Sequence, residues 1–203
     1  MKTGTKLTLA IVTVVALIVF GILASMLRHG FSARDQPTAL EAALTRSMRR
    51  LAMPRAARAA KNPIAFSEQV LSEGQAHFAD HCALCHGNDG RGETQIGRNL
   101  YPKAPDMASS ATQSLSDGEL FYIIRNGIRL TGMPAWGEDT SEDDRESWEL
   151  VHFIRHLPRI TKEEVEDMKA MNPKTREERE EEEKIEEFLR GTEGASPRPE
   201  HQH

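Results

Sequence analysis

The chain opens with a long apolar block and continues as a mostly polar sequence. Positions 7–27 contain no charged residue, and Lys2 and Lys6 stand just before them. A helix over these 21 residues would measure about 31 Å, which matches the hydrocarbon core of a bilayer. The pattern predicts an uncleaved signal anchor, a transmembrane helix, at residues 1–27. The alternative is a cleaved signal peptide, although the residues around Ser25 match a cleavage site poorly.

A basic segment follows at residues 28–62. Eight basic and two acidic residues lie between Arg28 and Lys61, a net charge of +6. Apolar residues recur at helical spacing with arginines beside them, which predicts a short amphipathic helix on anionic lipid headgroups that ends at Pro54. The alternative is a solvated linker. The recurring apolar residues are Leu40, Leu44, Met48 and Leu51.

The central part, residues 63–160, shows the 3.6-residue periodicity of helices and no strand-like alternation. It therefore predicts an all-α domain with long loops between its helices. Loops of this length suit a compact domain only if a bound group replaces part of its core. The predicted helices run from Ser67 to Cys82, from a cap at Ser116 or Asp117 through Asn126, and from about Ser141 to Leu157.

The last part of the chain is strongly charged. Residues 161–190 contain 12 acidic and 7 basic residues, a net charge of −5. Capping-box patterns at Thr161 and Thr175, separated by Pro173, predict a charged helical tail of two short helices. The simplest interpretation is a solvated tail, and the alternative is a docking helix for a partner. Residues 191–203 are predicted to be a disordered C-terminus.

The cysteine content narrows the chemistry. The chain has only two cysteines among its 203 residues, and both lie in Cys82-Ala83-Leu84-Cys85-His86. C-x-x-C-H is a covalent haem attachment motif, in which two thiols one helical turn apart add to the vinyl groups of one haem. The adjacent His86 is then placed to bind the iron. The alternatives are a redox dithiol, which would need a βαβ context, and a metal knuckle.

Residues from about 64 to 158 resemble a small class I (mitochondrial-type) cytochrome c, of the bacterial membrane-anchored monohaem kind. Four features carry the resemblance, and they occur in the order of that family. They are the attachment motif after a helix, the pair Gly74 and Phe78 before it, the pair Leu150 and Phe153 in the last helix, and the loop Gly132-Met133-Pro134. The resemblance implies that the last helix crosses the first at these two pairs, where Gly74 lets the helices approach.

The resemblance implies one covalently attached haem c, with Cys82 and Cys85 as attachment residues and His86 and Met133 as axial ligands of the iron. Met107 is the rival to Met133, but it lacks the flanking glycine and proline. The family usually has a proline after the haem site whose carbonyl holds the axial histidine. The comparable position here is Arg98.

If His86 and Met133 fill both axial positions of the iron, no position is left open for a substrate. The sequence therefore predicts an electron-transfer protein and not an enzyme. We expect redox protein partners, with no nucleic acid and no small-molecule substrate. Residues 64–160 include 15 acidic and 8 basic residues, a net charge of −7. Electrostatic steering would therefore favour a partner with a basic surface. The alternative is a mainly apolar contact at the haem edge. The alternatives are a subunit of an oxidase or quinoprotein dehydrogenase complex and, with Met133 displaceable, a haem-based sensor.

The flanking charges do not determine the orientation of the anchor in the membrane. Basic residues stand on both sides of it, with Lys2 and Lys6 before it and Arg28 and Arg34 after it. The resemblance implies an orientation, since haem of this kind is attached on the outer side of the bacterial cytoplasmic membrane. We therefore expect a single-pass protein of the inner membrane with its haem domain on the periplasmic side.

Overall fold

The computed structural model describes residues 3–29, 32–137 and 140–193, and this part of the chain is helical without strands. The predicted all-α class is confirmed. The predicted disordered C-terminus, residues 191–203, is wrong at 191–193, which are helical, and lies outside the described residues from position 194 onward. The α-helices are α1 (Thr3–His29), α2 (Ala39–Ala52), α3 (Arg55–Ala59), α4 (Glu68–His77), α5 (Ala83–His86), α6 (Ser110–Gln113), α7 (Asp117–Asn126), α8 (Ser141–His156), α9 (Lys162–Asp167) and α10 (Arg176–Glu193).

The first helix is a candidate membrane span by length and composition. The window Gly4–Ser25 has a mean hydropathy of 2.9, and none of it is buried against the rest of the described chain. Apolar side chains such as Leu17 and Phe20 are more than half exposed. A helix with this composition is unfavourable in water, so α1 fits a membrane anchor.

The core of the central domain is the crossing of α4 and α8. Phe78 follows α4 and packs on Phe153, with ring centroids 5.0 Å apart. Both rings and Leu150 are almost completely buried. Gly74 lies directly against the backbone carbonyl of Glu149, so no side chain fits between the helices there. The contact between these two sequence pairs is therefore confirmed.

Gly74→Ala should destabilise the domain strongly. The added Cβ would collide with the Glu149 carbonyl, and backbone has less freedom to move than a side chain. We expect a loss of about 2–3 kcal/mol in the free energy of unfolding. Denaturant unfolding of the haem-loaded protein, followed by absorbance, measures it. Ser72→Ala, on the exposed side of the same helix, is the control and should unfold like the wild type.

A wide helical turn connects α4 to the attachment motif. Residues Phe78–Cys82 form a π-helix, after which α5 runs from Ala83 to His86. The sequence predicted one helix ending at Cys82, whereas the helical path continues through the whole motif. Such single π turns inside α-helices are frequent at functional sites. Here the turn sets the direction in which Cys82, Cys85 and His86 project.

The structure differs from the sequence prediction just after residue 160. Met168 is completely buried in the same core cluster as Phe153. The amide Nδ2 of Asn172 donates to the Ala79 carbonyl at 2.8 Å, and Nδ2 of Asn88 donates to Oδ1 of Asn172 at 2.9 Å. The packed unit therefore extends to about residue 172, beyond the predicted boundary of 160. A capping box at Thr161 starts α9 as predicted.

The segment between α2 and α4 also packs on the domain. Met53 is 4% exposed. The Ser116 hydroxyl, which caps α7, donates to the Arg58 carbonyl at 2.8 Å. The amide of Asn62 donates to the Trp148 carbonyl at 2.8 Å. Residues 53–62 are thus fixed to the domain, where the sequence had placed them in a linker.

Candidate haem site

The three chemical groups of the motif lie at the inner side of α5. His86 is 7% exposed, and Cys82 and Cys85 are half-buried free thiols. Cys82 packs against the hydrophobic core cluster. One helical turn therefore holds two sulfur atoms and one imidazole at the boundary between the core and the loops.

Burial keeps all three groups uncharged. It raises the pKa of the Cys82 thiol to about 12, with a smaller contribution from the charge of Cys85. Burial also raises the pKa of the Cys85 thiol and lowers the pKa of His86. Neutral imidazole is the form of histidine that binds metals. The site therefore presents His86 in its ligand form without an external base.

The loop after the motif folds back onto it. The Gly92 amide donates to the His86 carbonyl at 2.7 Å. The Thr94 hydroxyl donates to the Cys85 carbonyl at 3.0 Å. Gly97 lies against that same carbonyl, so closely that a Cβ would overlap it. These contacts use the carbonyls at the end of α5, which a helix leaves without internal partners.

A proline carbonyl does lie beside the histidine, but it belongs to Pro105 and not to the position of Arg98. The interaction with the Pro105 carbonyl opposes part of the lowering of the His86 pKa. Nδ1 of His86 is buried without an acceptor at hydrogen-bonding geometry, so this contact does not have the geometry of a standard hydrogen bond. Arg98, the position expected to supply this carbonyl, is exposed. Among the described residues, Pro105 therefore supplies the carbonyl that acts on this imidazole.

The loop that carries Met133 is held between α7 and the loop after the motif. The Ile128 amide donates to the Met133 carbonyl at 3.1 Å, and the Trp136 amide donates to the Ile124 carbonyl at 3.2 Å. A Cβ at Gly132 would lie 2.6 Å from the Leu100 side chain. The Met133 loop thus packs on the segment that is itself fixed to Cys85.

The two candidate methionines differ in their surroundings. Met107 packs against the hydrophobic core cluster, and its amide donates to the Gly90 carbonyl at 2.8 Å. Met133 is half-buried and lies outside that cluster. Trp136 packs on the cluster and makes an edge contact with His81, with centroids 5.1 Å apart. Of these two methionines, Met133 is therefore the one whose side chain is not part of the core packing.

Three other histidines help to fix the structure of the domain. His152 contacts the Ile64 carbonyl at 2.9 Å, and His156 contacts a carboxylate oxygen of Glu164 at 2.7 Å. His77 lies 3.3 Å from Glu146. These three side chains are half-buried and join separate segments. Within the described part of the chain, no cluster of three or more His, Cys, Asp or Glu residues could hold a metal ion.

The residues present fit a covalently bound haem. Two neutral thiols stand one turn apart, and the adjacent imidazole has a buried nitrogen without a standard protein partner. The surrounding loops are fixed to the motif but contribute little to the core cluster.

Helical fold and buried motif together define the central part of this chain as a class I-like c-type cytochrome domain. The profile of the family "Cytochrome C oxidase, cbb3-type, subunit III" matches residues 69–154. Domains of this family bind covalent haem c, so the cofactor prediction is confirmed. The match supports a haem electron-transfer role for this domain.

Two curated proteins are similar to part of this chain. A thiosulfate dehydrogenase of Psychrobacter arcticus is 28% identical over 97 residues, which cover 47% of this chain. The Cbb3-type cytochrome c oxidase subunit FixP of Rhizobium meliloti is 32% identical over 93 residues, or 43% of the chain. The matched region spans 28% of each relative's length.

A solved structure shows a weaker likeness. The Kuenenia stuttgartiensis reducing HAO-like protein complex matches with 22% identity and a TM-score of 0.41, over 47% of this chain and 46% of that one.

Proposed function

We propose that this protein is a membrane-anchored monohaem cytochrome c that passes single electrons between redox proteins. Cys82 and Cys85 would hold the haem covalently, and His86 and Met133 would bind its iron. The observation that carries this proposal is the packing of Gly132 on Leu100, in the loop whose start is fixed to Cys85. It brings the Met133 loop next to the chain segment that encloses the motif.

Haem c supplies a one-electron couple at its iron. The protein's part is to hold the imidazole of His86 neutral and oriented, and to present a soft thioether from Met133. A thioether favours ferrous iron and raises the reduction potential. With both axial positions filled by the protein, the iron has no place for substrate, so turnover of its own is not expected.

The similarity to FixP favours a second candidate function, in which the chain is the cytochrome subunit of an oxidase complex. The similarity to a thiosulfate dehydrogenase favours a cytochrome subunit of a dehydrogenase complex. The chemistry at the haem would be unchanged in either case. The difference is whether the haem domain meets its partners transiently or remains bound to one of them. Stoichiometric copurification of a partner from native membranes would favour the subunit.

Redox titration of the purified full chain tests the function. We expect one reversible one-electron transition and no binding of carbon monoxide to the reduced protein, because Met133 closes the sixth position. Rapid carbon monoxide binding by the wild type would contradict the electron carrier and favour a haem-based sensor. A Met133→Ala variant serves as the positive control for an open site.

We place α1 in the inner membrane and the haem domain on the periplasmic side. The apolar length of α1 supports an anchor, and covalent attachment of haem supports the outer side. The acidic surface of the haem domain favours redox partners with basic surfaces, since long-range attraction raises the rate of encounter.

A further inference from the structure

We propose that α2 seats its apolar side on the anionic lipid surface next to the anchor, and that this contact fixes the orientation of the haem domain. The proposal rests on the proposed membrane anchor. It goes beyond anchoring, because a protein tethered only by α1 could rotate freely above the bilayer.

The apolar side of α2 has no partner among the described residues of the chain. Its four large side chains form one row along the helix. They are exposed to 79%, 58%, 61% and 85%, respectively, at Leu40, Leu44, Met48 and Leu51. Such a row is costly to leave in water, at about 25 cal/mol per Å² of apolar area. It therefore needs a surface to cover it.

Charge favours an anionic lipid surface as that cover. Arg46, Arg49 and Arg50 lie on the same helix, and Glu41 is its single acidic residue. An apolar side combined with an arginine-rich polar side is typical of helices that lie in the plane of a membrane interface. A basic protein surface would be repelled by the same arginines.

The chain also keeps α2 close to the bilayer. Nine residues separate the end of α1 at His29 from the start of α2 at Ala39. Fully extended, this connection reaches at most about 35 Å. Once α1 spans the membrane, α2 cannot move far from the headgroups, which raises its effective concentration at the surface.

α2 is joined to the haem domain close to both of its ends. Near its start, the Tyr101 hydroxyl donates to a Glu41 carboxylate oxygen at 2.5 Å. Just beyond its end, Met53 is buried and the Arg58 carbonyl accepts from Ser116. A seated α2 would therefore hold the domain in one orientation. Tyr101 follows Leu100, the residue that contacts the Met133 loop, so that side of the domain would lie near the bilayer.

Hydrogen exchange of the full haem-loaded chain in lipid nanodiscs tests the contact. Amides of residues 39–52 should exchange more slowly in discs containing phosphatidylglycerol than in discs of phosphatidylcholine alone. The variant Arg46→Gln/Arg49→Gln/Arg50→Gln should lose the difference, because three arginines near an anionic surface are together worth on the order of 100-fold in the ratio of docked to undocked helix. The matched control is Arg176→Gln/Arg179→Gln/Arg190→Gln in α10, which should behave as the wild type.

A second variant and a second measurement separate the apolar contact from general attraction. Leu44→Ser/Met48→Ser changes only exposed side chains, and it should also abolish the protection. Linear dichroism of the haem in oriented membranes should show one fixed tilt for the wild type and isotropic haem for both α2 variants. Equal protection and equal dichroism in wild type and variants would overturn the proposal.

Other occupants and a missing anchor give different results. Protection that appears in detergent and rises with protein concentration would identify a second copy as the occupant and would overturn the lipid contact. Mass analysis of the membrane-extracted protein should find residues 7–27 intact. If they have been removed, the anchor is wrong, and the same comparison of variants on phosphatidylglycerol vesicles still decides whether α2 binds lipid.

Discussion

Replacing both Cys82 and Cys85 by Ala should abolish covalent haem completely. No other thiol exists in the chain, so no alternative attachment can form. We expect the haem signal after denaturing electrophoresis to fall to background. A persistent covalent signal in the double variant would contradict the attachment site.

The same double variant should fold poorly. A group that binds only the folded state stabilises it by mass action, and covalent attachment makes that stabilisation permanent. Without it, the loops between α5 and α7 close on a small core cluster with few of their own residues in it. Loss of near-ultraviolet circular dichroism and faster proteolysis would show the effect. The single variants are the matched controls, because each retains one thiol and should keep part of the covalent haem.

The helices and the motif could be predicted because their signals are local. Ser116 and Glu119 form the capping box that starts α7, and Gly127 ends the helix. Thr140 starts α8 with its side chain on the Asp143 amide. Hydrophobic spacing placed Phe78 and Phe153 on the apolar sides of their helices, and the resemblance to class I cytochromes c implied that these helices cross there.

The features that the sequence did not predict depend on contacts between residues far apart in the chain. Asn172 donates a hydrogen bond to the Ala79 carbonyl, 93 positions earlier. The residue pattern of a charged tail does not predict such a long-range bond. The isolated Met168 fills the core from a segment whose neighbours are mostly charged. Pro105 lies seven positions beyond Arg98, and only the fold of the intervening loop brings its carbonyl to His86.

Substituting Met133 should change the iron chemistry more than any other single replacement outside the attachment motif. The Met133→His variant should have bis-histidine ligation and a lower reduction potential, because imidazole supports ferric iron better than a thioether. We expect a decrease on the order of 0.1 V, well within the range of about 0.8 V that axial ligands cover in haem proteins. A potentiometric titration measures it.

Met133→Ala should open the sixth position instead. The reduced variant should bind carbon monoxide and exchange electrons more slowly, since the iron would change its coordination with its oxidation state. Both variants should lose the weak near-infrared band of thioether-bound ferric iron. Met133 lies outside the hydrophobic cluster and is only half-buried, so neither change should disturb the packing of the core.

Met107→Leu is the matched control for the ligand assignment. Met107 packs on the core, and leucine nearly conserves its volume, so the variant should fold normally. It should keep the near-infrared band and the wild-type potential. If that band disappears in Met107→Leu and persists in both Met133 variants, the sixth ligand is Met107. The loop at 132–134 would then only cover the haem, although attachment through Cys82 and Cys85 would stand.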